Sequence, residues 1–293
     1  MRTVVTTRRR RNGSGHCRRL PQLPYREGVV YGPIQSRRLG RSLGINLLAA
    51  GPKCCQWDCV YCQFPEVPQD FDRRARVRLL PHSDSLLKAI DNGILRALED
   101  GRQFDSITLS GNGDPSTHPS LPDVACHLRM LVRNLRLPVR LSIMTNLSGY
   151  RDARFLEAIR LFDTKLIKLD AGDDEAFRRV NRPTTEVHLV DLCDVAAAVG
   201  EVSVQTMLIG GALDNRASVL SEAYAELIGR VRPVEVQLTT IDKRPACAGV
   251  LPLMAADLAR AKRFLTDRLC PVPVNIYYQE WPSGFPGSWQ HDK

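Results

Sequence analysis

Apolar and polar positions change period along this chain in a regular order. Short apolar runs, the length of a buried strand, alternate with stretches in which apolar residues recur every three or four positions, the spacing of an amphipathic helix. The first run is Ser42–Leu48. Past a cysteine-bearing loop, Leu86, Ile90, Ile94 and Leu98 fall on one helical face, with Ser83 placed to cap the helix and Gly101 to end it. Runs at 105–110, 139–145, 166–170, 201–209 and 234–240 read as further strands. Helices are expected at 121–134, 152–162, 174–180, 187–199, 215–230 and 255–269, and a last strand at 274–278. Tyr31–Arg41, with its glycines, proline and arginines, reads as turns. Six strand–helix units in sequence give an α/β fold, a parallel sheet with outer helices, and are too few for an eight-unit barrel.

Composition narrows this little: 43% hydrophobic and 25% charged residues are ordinary for a globular chain. Charge changes the picture once it is located. Of the net +9, eight arginines and no acid lie in residues 1–26, and the rest of the chain carries 33 basic against 32 acidic residues. We therefore divide the chain into a basic flexible tail (1–28), a catalytic-size domain (29–280) and a Pro/Gly/aromatic tail (281–293). The basic tail is either a solvated end or a salt-sensitive phosphate binder. No apolar run is long enough to span a bilayer, so no membrane association is expected. The nine cysteines are odd in number and without paired spacing, which points to a reducing, cytoplasmic setting.

The chemistry concentrates in Cys55-Gln56-Trp57-Asp58-Cys59-Val60-Tyr61-Cys62, directly after the first strand. A structural zinc site is normally closed by four ligands, and an iron–sulfur cube takes four thiolates. Three thiolates on a cube leave one iron open to a small molecule. Cys54 is the nearby fourth thiol, but as the neighbour of Cys55 it is badly placed to converge on the same centre. Other polar groups gather where strands end, the place a parallel α/β barrel puts its chemistry. They are Gly111-Asn112-Gly113-Asp114, Thr145 and Asn146, Lys168 and Asp170, Gln205 and Thr206, and Gln237, Thr239 and Thr240. Lys168 and Asp170, two apart on one strand face, are also placed to pair with each other. His118 is a candidate proton carrier or a simple turn residue. Arg37, Arg38 and Arg41 are candidates for gripping a phosphate or carboxylate, or solvated surface groups.

The cysteine spacing with the aromatic before the last cysteine resembles the signature of the radical S-adenosylmethionine (radical SAM) enzymes. The resemblance implies a partial (β/α)6 TIM-type barrel and two cofactors, a 4Fe–4S cluster and S-adenosyl-L-methionine. It would make Cys55, Cys59 and Cys62 the cluster ligands, and set Tyr61 beside the adenine. Gly111, Asn112, Gly113 and Asp114 would hold the methionyl amino group, although close relatives more often carry Glu where Asp114 stands. An external one-electron reductant of the flavodoxin or ferredoxin type would reduce the cluster, and cleavage of the cofactor would give a 5′-deoxyadenosyl radical that takes hydrogen from a substrate. Ser36-Arg37-Arg38-Leu39-Gly40-Arg41-Ser42-Leu43-Gly44-Ile45-Asn46, Cys59–Gln63, Gly111–Pro115 and Gln237–Asp242 narrow the resemblance to stand-alone Fe–S oxidoreductases similar to wyosine-tRNA synthases. That group suggests a tRNA base as substrate, with a peptide or small metabolite as the alternative. The tRNA-modifying enzymes carry a second cluster on upstream cysteines, and here only Cys17 lies upstream of Cys54. The rival classes are a non-catalytic iron–sulfur carrier and an RNA-binding protein with a structural metal.

Overall fold

The computed structural model describes residues 25–49, 53–64, 80–245 and 247–279. The Arg-rich stretch before residue 25 and the segment from 280 onward lie outside them. Tyr25–Gly28, counted with the tail from sequence, is docked: Tyr25 stacks on Phe64 at 5.4 Å, and Arg26 N–H donates to Asn112 Oδ1 at 2.9 Å.

The sheet is eight-stranded. In chain order its strands are β1 (Val30–Ser36), β2 (Gly40–Ile45), β3 (Ser106–Leu109), β4 (Arg140–Thr145), β5 (Thr164–Lys168), β6 (Val202–Met207), β8 (Glu235–Thr239) and β10 (Val274–Tyr277), and they lie side by side in that order. From β2 onward every neighbouring pair is parallel, and β1 alone is antiparallel, against β2. β7 (Gly210–Gly211) and β9 (Val250–Leu251) form a separate short ribbon. The helices are α1 (Ser83–Glu99), α2 (Leu121–Asn134), α3 (Ala153–Arg160), α4 (Asp174–Val180), α5 (Leu189–Val199), α6 (Arg216–Val219), α7 (Glu222–Val231) and α8 (Ala255–Leu269). The result is a curled, open half-barrel with flanking helices, the expected α/β class.

Alternation along the strands sorts the two faces of the sheet. Leu43 and Ile45, Ile107 and Leu109, Leu141 and Ile143, Val202 and Val204, Val236 and Leu238 turn to the main core with the inward residues of the helices, such as Ile90 and Ile94 of α1. On the opposite face Ser42, Thr108, Met144, Gln205, Met207 and Thr239 line a cavity of about 570 Å³. Ser42 and Thr108 hydroxyls bond each other there at 2.7 Å. A sheet apolar on one side and polar on the other is one that encloses a wet interior, so the fold itself points the chemistry inward.

Three local expectations change. Val30–Ser36 is a strand despite Gly32-Pro33: it is half-exposed at the sheet edge, where proline removes no needed ladder bond, and its register slips between Tyr31 and Ile34. Ser83 is the first residue of α1 rather than its cap; His82 holds that position, without a side-chain bond. The helix expected over 215–230 is two, because Ser221 caps a new start by accepting from Tyr224 N–H at 3.2 Å. Among the described residues no helix is long and apolar enough to cross a membrane.

Candidate functional site

The cysteine loop follows β2 at the end where the parallel strands leave their C-termini, and it is fastened from two sides. On one side Cys54 N–H donates to Asn112 O at 3.0 Å and Asp114 N–H to Cys54 O at 3.3 Å, a bridge to the Gly111–Asp114 loop. On the other, Val60 N–H donates to Val180 O at 2.9 Å, Asp58 N–H to Asn181 O at 3.1 Å, and Thr184 N–H to Gln56 O at 2.9 Å. Trp57 meets Phe177 edge-on at 4.9 Å, and Val60 joins a small core with Val180, Ile209, Ile241 and Val250. The loop is thus an anchored platform rather than a free excursion.

On that platform Cys55, Cys59 and Cys62 are partly buried, while Cys54 belongs to the main core at 1% exposure. Trp57 N–H and Asn146 Nδ2 approach Cys55 Sγ at 3.4 and 3.5 Å, and Asn181 Nδ2 approaches Cys59 Sγ at 3.4 Å. Lys53 is almost wholly buried and pairs with Asp58 at 2.8 Å. Burial pulls the Lys53 ammonium down, but the Cys62 and Cys55 sulfurs, Asp58 and Cys59 outweigh it and hold its pKa above the ordinary lysine value. Burial likewise pushes the Cys55 thiol up, and the Cys59 thiol up to about 11, with Lys53 opposing both. Among the described residues no three Cys, His, Asp or Glu side chains lie close enough to share one metal ion. The buried lysine and the amide donors would suit the negative charge of a metal centre held by the three sulfurs.

Most of the predicted polar residues come to this region, Thr206 instead bonding Tyr224 Oη at 2.5 Å in the main core, and several are already committed to the protein. Asp114 Oδ1 accepts from Ser116 N–H (2.9 Å), Ser116 Oγ (2.5 Å) and Thr145 Oγ1 (3.0 Å), and its Oδ2 accepts from Asn146 N–H at 2.6 Å. Burial raises its pKa against those donors. It ties the glycine loop to the end of β4, leaving little acceptor capacity for an ammonium. Asn112 faces away, its Nδ2 donating to Arg26 O at 2.9 Å. The two glycines make room for the chain itself: a Cβ on Gly111 would lie 2.1 Å from Asn46 Oδ1, and one on Gly113 (φ +149°) 1.9 Å from Cys54 O. Asp170 is a hub. Its Oδ2 accepts from Tyr61 Oη (2.5 Å) and Asn181 Nδ2 (2.7 Å), and its Oδ1 from Met207 N–H (2.7 Å), with Lys168 Nζ at 2.9 Å. Burial and the Asp170 charge put the Tyr61 phenol well above its ordinary pKa. Lys168 also sits 5.1 Å from the Tyr61 ring centre.

Gln205, Thr239, Thr240, Tyr61 and Cys62 reach the cavity wall. His118 does not: its Nδ1 accepts from Ser120 N–H at 3.1 Å, and burial lowers its pKa to about 4, so it is a neutral turn residue. Arg41 is engaged by Asp105 and Gln103, and Arg37 by Asp242; Arg38 alone of the three turns a buried nitrogen inward without a partner. Sequence reasoning missed Lys53 and Asn181 and took Asn46 only as the end of a motif. Asn181 is brought in by folding, whereas Lys53 stands two residues before Cys55, where its burial could not be read.

The half-barrel is the fold of the radical SAM enzymes. It superposes on a radical SAM methyltransferase from Sphaerobacter thermophilus with a TM-score of 0.57 at 18% identity, over 82% of this chain and 67% of that one. It also superposes on Streptococcus suis SuiB solved with bound S-adenosylmethionine, with a TM-score of 0.53 at 12% identity, over 82% and 50% of the two chains. No protein-family model matches the chain. A UPF0026 protein of Synechocystis sp. is 33% identical over 218 residues, 72% of this chain and 74% of the relative. The chain belongs to the UPF0026 family.

Proposed function

We propose that the protein is a radical SAM enzyme, with a 4Fe–4S cluster on Cys55, Cys59 and Cys62 and S-adenosylmethionine bound between that cluster and the cavity. The carrying observation is the anchored three-cysteine loop at the strand C-termini, with Cys62 and Tyr61 in the wall of the cavity that the polar sheet face lines. When bound, the cluster and cofactor supply a one-electron cleavage of the sulfonium that yields a carbon radical. The chain's own part is to hold and screen. Lys53 offsets the charge of three thiolates, Asn146 and Asn181 offer amide hydrogens to two of the sulfurs, and the Asp170 hub fixes the Tyr61 ring at the cavity edge. Asp114 and Asp170 are taken up by donors of the protein, so both serve to position the loops rather than to move protons. The electron comes from an external flavodoxin- or ferredoxin-type donor, and the substrate enters the cavity.

Anaerobic reconstitution with iron and sulfide is expected to load roughly four of each per chain. Dithionite and S-adenosylmethionine should then yield 5′-deoxyadenosine. Tight zinc in place of iron, or no 5′-deoxyadenosine from a loaded protein, would refute the reading.

A further inference from the structure

The cavity wall has a charge imbalance that the cofactor does not explain. Its lining holds Arg26, Arg37, Arg38 and Lys243 against one carboxylate, Asp242. Asp242 is already bonded to Arg37 and accepts from Gln279 N–H at 3.2 Å. Arg26 lies over the Tyr31 ring at 4.2 Å, a contact that leaves its charge in place. Arg38 is the most telling. It rises from the turn between β1 and β2, its Nη1 is fully buried, and that nitrogen has no hydrogen-bond partner among the described residues. Burial and then Arg37 lower its pKa to about 10, so it is still a cation at neutral pH. Glu235, the one carboxylate among the groups that act on its charge, is occupied by Gln237 Nε2 at 2.6 Å and Asn275 Nδ2 at 2.9 Å. A buried guanidinium nitrogen without an acceptor is costly, and it persists where a ligand supplies one.

S-adenosylmethionine is a poor candidate for neutralising this wall. Its sulfonium and ammonium exceed its one carboxylate, so it brings a net positive charge to a positive cavity. We propose that the cavity takes a small oxyanionic substrate, a carboxylate or a phosphate ester, whose anionic end rests on the Arg38 guanidinium while the remainder extends toward Cys62 and Tyr61. The planar fork of an arginine fits both oxyanions bidentately. A volume of about 570 Å³ is that of a small-molecule site rather than a surface for a folded nucleic acid. The inference deepens the radical SAM reading, on which its naming of a substrate rests, but anion binding itself needs no turnover.

The test is calorimetry on the anaerobically reconstituted protein with inorganic phosphate, succinate and neutral glycerol as probes. At least one anion should bind and glycerol should not; which anion binds decides between the two sources. Arg38→Ala should weaken that anion at least tenfold, Arg38→Lys should retain part of it, and Arg41→Ala, on the outside, should leave it unchanged. S-adenosylmethionine affinity should move less than twofold in Arg38→Ala, with melting temperature checking the fold and Arg38→Lys standing in if that variant is unstable. The proposal is overturned if neither anion binds while tRNA does, if Arg38 variants bind the anion like the parent, or if they lose S-adenosylmethionine in parallel. A failure to form 5′-deoxyadenosine with anion binding intact would instead strike the radical SAM reading.

Discussion

The two walls of the mouth are built on opposite plans. Around the cysteine loop the two carboxylates are saturated by the protein: Asp114 gathers four bonds from Ser116, Thr145 and Asn146, and Asp170 joins Tyr61, Lys168, Asn181 and Met207, although Lys168 Nζ and Asn181 Oδ1 are themselves buried without a hydrogen bond. Across the cavity, the turn between β1 and β2 presents Arg38, one of whose guanidinium nitrogens is buried without a hydrogen-bond partner. The difference separates two jobs that strand-end residues are often assumed to share. The first wall positions the cysteine loop, and polar residues there act through the protein. The unsatisfied wall is where an incoming molecule finds an empty bond. Rigidity on the first side and vacancy on the second are what the proposed reaction would need, with a fixed cluster and an exchangeable substrate.

The largest expected effect tests the first wall at its centre. Cys59→Ala removes one of three thiolates and should abolish cluster loading, read as loss of iron, sulfide and 5′-deoxyadenosine together. Cys54→Ala, one residue before the motif and buried in the main core, should keep iron loading within about twofold despite some loss of stability. Equal loss in both variants would mean that the loop, not the trio, carries the metal.

Next comes the hub. Asp170→Ala strands the Lys168 ammonium and removes the acceptor of Tyr61 Oη, Asn181 Nδ2 and Met207 N–H. Removing one partner of a buried pair costs on the order of 3–5 kcal/mol. Urea unfolding of the cluster-free protein reads this directly, and a loss under 1 kcal/mol would show that the hub is not what fixes the platform.

A pH effect of similar origin follows at His118, below the glycine loop. Its folded pKa of about 4 lies under the unfolded value of about 6.5, so between those two values the unfolded chain binds more protons. Stability therefore rises with pH through that window and is lost as pH falls, by about 3 kcal/mol across it. His118→Gln should flatten that segment of the stability–pH curve while leaving 5′-deoxyadenosine formation in place. If activity vanishes with stability intact, His118 belongs to the chemistry after all.

The same contrast explains what could be read before folding. Strands β3 to β8 of the sheet were legible because one face of each meets helices, which forces runs of Ile, Leu and Val. β1 was hidden by Gly32-Pro33, a turn signal that an edge strand tolerates, and the β7–β9 ribbon is too short for any period to register. The cysteines were legible because their chemistry fixes their spacing. Asp114 and Asp170 could be located but not interpreted, since sequence shows a carboxylate and not how many donors surround it. Asn181 carries no local mark, since it reaches Cys59 across 122 residues of chain, and Lys53, though next to the motif in sequence, shows nothing of its burial there. Arg37, Arg38 and Arg41 are three similar letters in a row of eleven, and only the path of the β1–β2 turn decides which one holds a buried nitrogen without a hydrogen bond.

The smallest effect is the sharpest test of that last point. Arg37 and Arg38 are neighbours in one turn, yet Arg37 is bonded to Asp242 at the surface, with side chains 42% and 32% exposed, whereas Arg38 holds a buried nitrogen open. An exposed pair is screened by water and contributes under about 1 kcal/mol. Arg37→Ala should therefore leave global stability nearly unchanged. It removes a tie between the β1–β2 turn and the segment after β8, to which Gln279 beyond β10 also bonds, so amide exchange at Gln279 should quicken. Because its charge is already met by Asp242, its loss should weaken oxyanion binding less than Arg38→Ala does. If Arg37→Ala proved the more damaging of the two, the anion would sit at the rim beside Asp242, and the open wall would be the entrance to the cavity rather than its floor.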